Sequence, residues 1–384
     1  MKKDAIALLF LLNACSAGDT TVPSVPDGAT VPDAAALDAA VGDSATDGGT
    51  APLEADARAE GAIPAVSLAT CSAADGICSG TLDPTQLGAG ILAVRSATSG
   101  KDGRHYFCYP SAPGILNGKF VLHFVGTGSD PQVDLAVTRR MCALGFVALA
   151  PMYVNDKDAR GTCGADSDCF DGYRREIVVG GDFIRGVSVD TANSIEGRIS
   201  SALARLAVTE PTFAAFPALR DAFAIRDLSK VVLSGHSQGS GHALYLARDH
   251  AALRVVLLAG PSDRLPAPEN APSRWITEFA ARTKTSPSKL YGFISEDDAI
   301  QGFDSVRDTW NVIGMGPESC VHSMSGSGYT AACRRVVLPS AGCSALAAHA
   351  VVVAENFDAA CLSARPPNRN TATWTFLFGG LGAL

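Results

Sequence analysis

The chain has 384 residues, 47% of them hydrophobic, and a formal net charge of −8. That much apolar material supports a large core, and a net acidic chain with no basic cluster excludes the electrostatic footprint of nucleic-acid binding. Length alone leaves both one large α/β domain and two ordinary domains open.

Met1 to Cys15 reads as a targeting segment: Lys2 and Lys3, an apolar run from Ala5 to Leu12, then Leu12-Asn13-Ala14-Cys15. It resembles a bacterial lipoprotein signal. That resemblance implies a lipid on Cys15 and a membrane anchor in the cell envelope, at the outer membrane or cell surface. The alternative is an ordinary secretory signal cut elsewhere, giving a periplasmic or secreted protein. Residues 16–65 are rich in Ala, Asp, Gly, Pro and Thr without periodicity, and read as a disordered tether. Residues 66–384 then form one folded domain.

Eleven cysteines fit export; with Cys15 acylated, ten remain (11 − 1 = 10), an even number suited to disulfides. The spacings Cys71/Cys78 and Cys163/Cys169 suggest local staples. Cys320, Cys333, Cys343 and Cys361 cluster near the candidate catalytic histidine, and Cys142 reads as a buried thiol; connectivity stays open. There is no C-x-x-C pair, so no structural zinc site is expected.

Gly90 to Arg95 and Arg104 to Pro110 read as the first two strands, joined through Ser99-Gly100-Lys101-Asp102-Gly103. Lys119 to Val125 is an apolar strand that empties into Gly126-Thr127-Gly128. A helical stripe through Val137, Met141 and Leu144 ends at Gly145, and Phe146 to Pro151 is another buried strand. Tyr153 to Ser188 reads as an Asp- and Gly-rich loop. Its Asp166, Asp168 and Asp171 have the spacing of a solvated acidic loop and not that of an EF-hand. Asn193 to Leu206 is helical. After the strand Lys230 to Ser234 come Gly235-His236-Ser237-Gln238-Gly239 and a helix from Ser240 to Asp249. Arg254 to Ala259 and Lys289 to Ser295 are further strands, with Pro261 to Ser288 between them as a cap over the site. Val336 to Leu338 is the last core strand, and Thr371 to Phe378 a closing helix. Alternating strands and helices indicate a parallel, doubly wound sheet.

A G-x-S-x-G between strand and helix lifts the serine hydroxyl above the sheet, over a helix N-terminus that favours negative charge. The elbow, its flanks and the chain from about Gly90 to the C-terminus resemble the α/β-hydrolase family. The resemblance implies the chain order Ser, acid, His, because a serine needs a histidine to take its proton and a carboxylate to fix the imidazole. Ser237 is the nucleophile. Asp298, at the end of a strand and followed by Ala299-Ile300, is the acid, with Asp297 the alternate. His349, after the last strand and before Ala350-Val351-Val352-Val353, is the base, with His322 the alternate. His236 is expected to pack, and His123 to support the following loop. The oxyanion hole is expected from the backbone N–H groups of Gln238 and Thr127. No cofactor or metal is implied. The expected function is hydrolysis of small or polymeric carboxylic esters through an acyl-enzyme; the alternatives are a catalytically inactive binding lipoprotein and a peptidase on the same scaffold. The sequence leaves oligomeric state open.

Overall fold

The structure, a computed structural model, describes residues 67–214, 227–316, 319–323, 325–326, 328–330, 332–354 and 369–379. The segment Met1–Cys15, the tether 16–65 and Cys361 lie outside the described residues. Among the described residues, no helix is long and apolar enough to cross a membrane.

The strands of one sheet are β1 (Thr70–Ser72), β2 (Ile77–Leu82), β3 (His105–Pro110), β4 (Phe120–Phe124), β5 (Val147–Ala150), β6 (Val231–His236), β7 (Arg254–Leu258), β8 (Leu290–Ser295), β9 (Cys320–Val321) and β10 (Arg335–Leu338). Their spatial order is β1-β2-β3-β5-β4-β6-β7-β8-β10-β9. The pairings from β1 through to β5 are antiparallel, and those from β5 to β9 are parallel. The helices are α1 (Leu135–Ala143), α2 (Ala159–Cys163), α3 (Cys169–Val179), α4 (Ile195–Thr209), α5 (Pro211–Ala214), α6 (Gln238–Asp249), α7 (Arg274–Thr277), α8 (Phe279–Arg282), α9 (Phe303–Val312), α10 (Ala345–Ala350) and α11 (Thr371–Trp374).

Central strands that are apolar on both parities must be covered on both faces. Val231, Leu233, Val255 and Leu257 pack with side chains of α3 to α9 in one core. Their neighbours Val232, Val256 and Leu258 face the other side, against Val137 and Met141 of α1 and the Trp374–Phe378 region. The chain passes from β4 to β5 on one side of β4, then crosses to β6 on the other. That reversal sets the ends of β4 and β6 next to each other, which is where open α/β sheets take their ligands. The result is the mostly parallel α/β-hydrolase fold expected from the sequence.

Four expectations change. Gly90 to Arg95 is not a strand beyond a bridge between Arg95 and Asp102. Its backbone is held by side chains: Leu92 N donates to Asn193 Oδ1, and Leu92 O accepts from Arg198. The strands that open the sheet are β1 and β2 instead. The expected loop at Tyr153 to Ser188 contains α2 and α3, and α3 buries Phe170, Tyr173 and Ile177 in the core. Of its acidic residues, Asp166 accepts from the N–H groups of Asp168 and Cys169, and Asp171 pairs with Arg248 of α6. The side chains expected to form a cap in Pro261 to Ser288, those of Trp275, Ile276 and Phe279, are buried in the core. Cys142 is not a free thiol but is bonded to Cys108, tying α1 to β3. The two local staples form as expected, Cys320 pairs with Cys333, and Cys343 is also disulfide-bonded.

Candidate active site

Between β6 and α6, Ser237 takes φ +56° and ψ −124°, a left-handed conformation that side chains ordinarily avoid. The corner is possible because Gly239 passes against β4: a Cβ there would lie 2.0 Å from the Phe124 carbonyl oxygen. Gly241 has a different task. A Cβ at that position would come within 2.3 Å of the Arg174 guanidinium carbon. Arg174, fully buried on α3, forms a two-pronged ion pair with Asp263 at 2.9 and 2.6 Å and donates to the Gln238 carbonyl at 2.9 Å. The first turn of α6 is thus fixed by a charge reaching in from the 153–188 stretch.

The loop after β4 lies against the serine. A methyl at Gly126 would stand 3.1 Å from Ser237 Cβ and 3.5 Å from its Oγ. Asn155, 1% exposed, holds this loop by donating to the carbonyls of Gly126 and Ser129, both at 2.9 Å, and by accepting from Gly128 N at 2.8 Å. Thr127 Oγ1 donates to Gln238 Oε1 at 3.1 Å, linking the two expected oxyanion donors. The Gln238 N–H belongs to the first turn of α6, where donors have no partner within the helix.

Asp298 ends the turn after β8 and is 1% exposed. Its Oδ2 lies 2.9 Å from His349 Nδ1, and its Oδ1 accepts from Ile300 N and Gln301 N at 3.0 and 3.1 Å. A carboxylate accepts, so the proton sits on Nδ1, leaving the His349 Nε2 lone pair for chemistry. The alternates, Asp297 and His322, make other contacts. Asp297 spends its carboxylate on Ser340 Oγ and on the N–H groups of Ala341 and Cys343. Burial pushes that carboxyl up, but these hydrogen bonds outweigh it and hold it below the usual carboxylate value. His322 stacks on Phe293 with ring centroids 5.6 Å apart, and its N–H donates to the Val337 carbonyl.

Beneath the pair lies a buried network. His236 packs its ring 4.7 Å from that of His349, and its Nε2 donates to the His349 carbonyl at 3.1 Å. Its Nδ1 faces Asp134 Oδ1 at 3.7 Å. Burial lowers the His236 pKa to about 4, although Asp134 pulls the other way. Asp134 also holds His123 Nε2 at 2.8 Å, while His123 Nδ1 meets Ser234 Oγ at 3.1 Å. His123 therefore braces β4 against β6 and α1.

Among the described residues no hydrogen bond joins Ser237 Oγ to His349. The Oγ accepts instead from Gln301 Nε2 at 3.3 Å. Asn155, Arg174, Asp134 and Gln301 carry no motif, because their partners are distant in sequence; only the positive-φ corner itself has a local signal. Lys157, whose carbonyl accepts from Gln238 Nε2 at 3.0 Å, also lines a surface groove of about 400 Å³ with Asp158, Thr162 and Arg185.

No protein-family model and no curated protein matches the chain. Among solved structures it is similar to a dienelactone hydrolase from Klebsiella pneumoniae subsp. pneumoniae MGH 78578, at 13% identity and a TM-score of 0.37, covering 79% of this chain and 99% of that one. It is also similar to a thermophilic esterase from the planctomycete Thermogutta terrifontis, at 15% identity and a TM-score of 0.38, covering 78% of this chain and 96% of that one.

Proposed function

We propose that this chain of α/β-hydrolase fold is a serine hydrolase that cleaves carboxylic esters through an acyl-enzyme on Ser237. The observation that carries the reading is the buried Asp298–His349 pair, 2.9 Å apart, beside a left-handed serine at the head of α6. In this mechanism Ser237 Oγ attacks the ester carbonyl as its proton passes to His349 Nε2, and the alcohol departs with that proton. Water then attacks the acyl carbon, again losing its proton to His349, and the C–Oγ bond breaks. The imidazolium formed in each step is stabilised by Asp298. The oxyanion is received by the N–H groups of Gln238 and Thr127, each worth roughly 3 kcal/mol in the transition state. The chemistry calls for no metal or organic cofactor.

Export and a lipid on Cys15 belong to the same proposal; the disulfide-bonded cysteines of the folded domain support the export alone. The substrate is a small or polymeric ester, and a panel of esters and peptides separates this reading from a peptidase.

The test is fluorophosphonate labelling of the protein under oxidising conditions, with intact mass, peptide mapping and Ser237→Ala as control. A single adduct on Ser237, absent from a folded Ser237→Ala variant that has lost ester turnover, is the expected result. No adduct on folded wild-type protein would favour the inactive binding lipoprotein, and full activity in Ser237→Ala would sink the proposal.

A further inference from the structure

Gln301 stands three residues beyond the acid, and its side chain touches the atom that reacts. We propose that it is a further catalytic residue, donating a hydrogen bond to Ser237 Oγ that assists release of the acyl group. The proposal rests on the serine-hydrolase reading above.

The orientation of the Gln301 amide follows from a chain of donors. Arg160 can only donate, and its Nη2 reaches Ser262 Oγ at 3.2 Å and the Ser262 carbonyl at 3.3 Å. The Ser262 hydroxyl keeps its own hydrogen free to donate, and it donates to Gln301 Oε1. The amide NH₂ therefore faces Ser237, with Nε2 at 3.3 Å from Oγ. The backbone is held as well, because Gln301 N donates to Asp298 Oδ1 at 3.1 Å. Each link polarises the next, so the last N–H is a stronger donor than a solitary amide.

In the resting enzyme this N–H occupies a lone pair of Oγ and leaves the hydroxyl hydrogen to point elsewhere. In the acyl-enzyme Oγ is an ester oxygen with no proton, and the Gln301 N–H still faces it. When the second tetrahedral intermediate collapses, the C–Oγ electron pair moves onto Oγ, and His349 Nε2–H delivers its proton to that oxygen. A donor already aimed at Oγ stabilises the charge appearing there. In acylation the same bond holds a lone pair that the attacking oxygen must use, so its help is smaller. Gln301 is therefore assigned chiefly to deacylation.

The experiment is pre-steady-state hydrolysis of p-nitrophenyl acetate by wild type, Gln301→Ala, Gln301→Glu and Ser262→Ala, reading the burst and the following steady rate separately. For Gln301→Ala the expected result is deacylation slowed about 10-fold, with acylation changed less than about 3-fold. Gln301→Glu, which turns an acceptor toward Oγ, slows deacylation further, and Ser262→Ala, which lets the amide turn, has a smaller effect in the same direction. A side chain that merely packs would not change the ratio of the two rates. Equal slowing of both steps, or wild-type deacylation in folded Gln301→Ala or Gln301→Glu, overturns the proposal while leaving the acyl-enzyme reading intact. Absence of a burst and of any Ser237 adduct in wild type overturns both.

Discussion

The two oxygens of Asp298 have different partners, and neither position tolerates an amide. Asn at 298 must aim its NH₂ either at the N–H groups of Ile300 and Gln301 or at His349 Nδ1, which then has to give up its proton. Asp298→Asn is expected to lower kcat by about 10⁴-fold. Asp297→Asn, which loosens only the cap on residues 340–343, should leave kcat within about threefold and cost about 1 kcal/mol of stability. Exchange of these two effects in steady-state assays would make Asp297 the acid. The sequence put the proposed acid at the end of a strand but left the register open, because both aspartates follow the same apolar run. Burial and the His349 contact, which local pattern does not encode, separate them. Gln301 was invisible for the same reason: its partner lies 64 positions away.

Elements whose signals are local were legible: the strand, the glycine-flanked corner and the helix of β6 to α6, and the alternation around them. Elements whose partners are remote were not. Ile91 and Val94 are buried, but three residues apart and not in the alternation of a strand, and Asn193 and Arg198 claim the neighbouring backbone. Helix α3 was concealed by Gly172 and the surrounding acidic and cysteine residues, although it delivers Arg174 to the elbow. Removing that charge tests the importance of the element. Arg174→Met strands Asp263 in the interior with the Trp275 N–H, which lies 2.9 Å away, and is expected to destabilise the domain by about 3–5 kcal/mol. The double variant Arg174→Met/Asp263→Leu should recover much of the loss. Urea midpoints measure both, and a single-variant loss below about 1 kcal/mol would refute this role.

Across the whole molecule, acid sensitivity follows from histidines buried in the neutral form. Burial holds His105 to about 3, His236 to about 4 and His242 well below the ordinary histidine value. Two of them also use a ring lone pair: His105 Nδ1 accepts from Met152 N at 2.8 Å, and His242 Nε2 faces Arg174 Nη1 at 3.3 Å. His236 faces Asp134, His349 and His123, and attraction to Asp134 offsets only part of its burial. The unfolded chain takes up these protons near pH 6.5 and the folded chain only well below it, so folding is favoured fully above 6.5. That contribution is lost as pH falls toward 4, on the order of 3 kcal/mol for His236 alone. Urea midpoints at pH 7.5 and 5 should therefore differ, with the lower value at pH 5; equal midpoints would contradict this account. The Arg174 anchor also bears on how such a scaffold can diversify. The sheet is complete without residues 153–188, yet that stretch occupies the space above Gly241. Because the Arg174 guanidinium fills that space, a methyl at position 241 is excluded for as long as the arginine stands there. Exchanging that stretch for one without the arginine would therefore have to preserve its core side chains and the Asn155 contacts, and would free position 241 to carry a side chain.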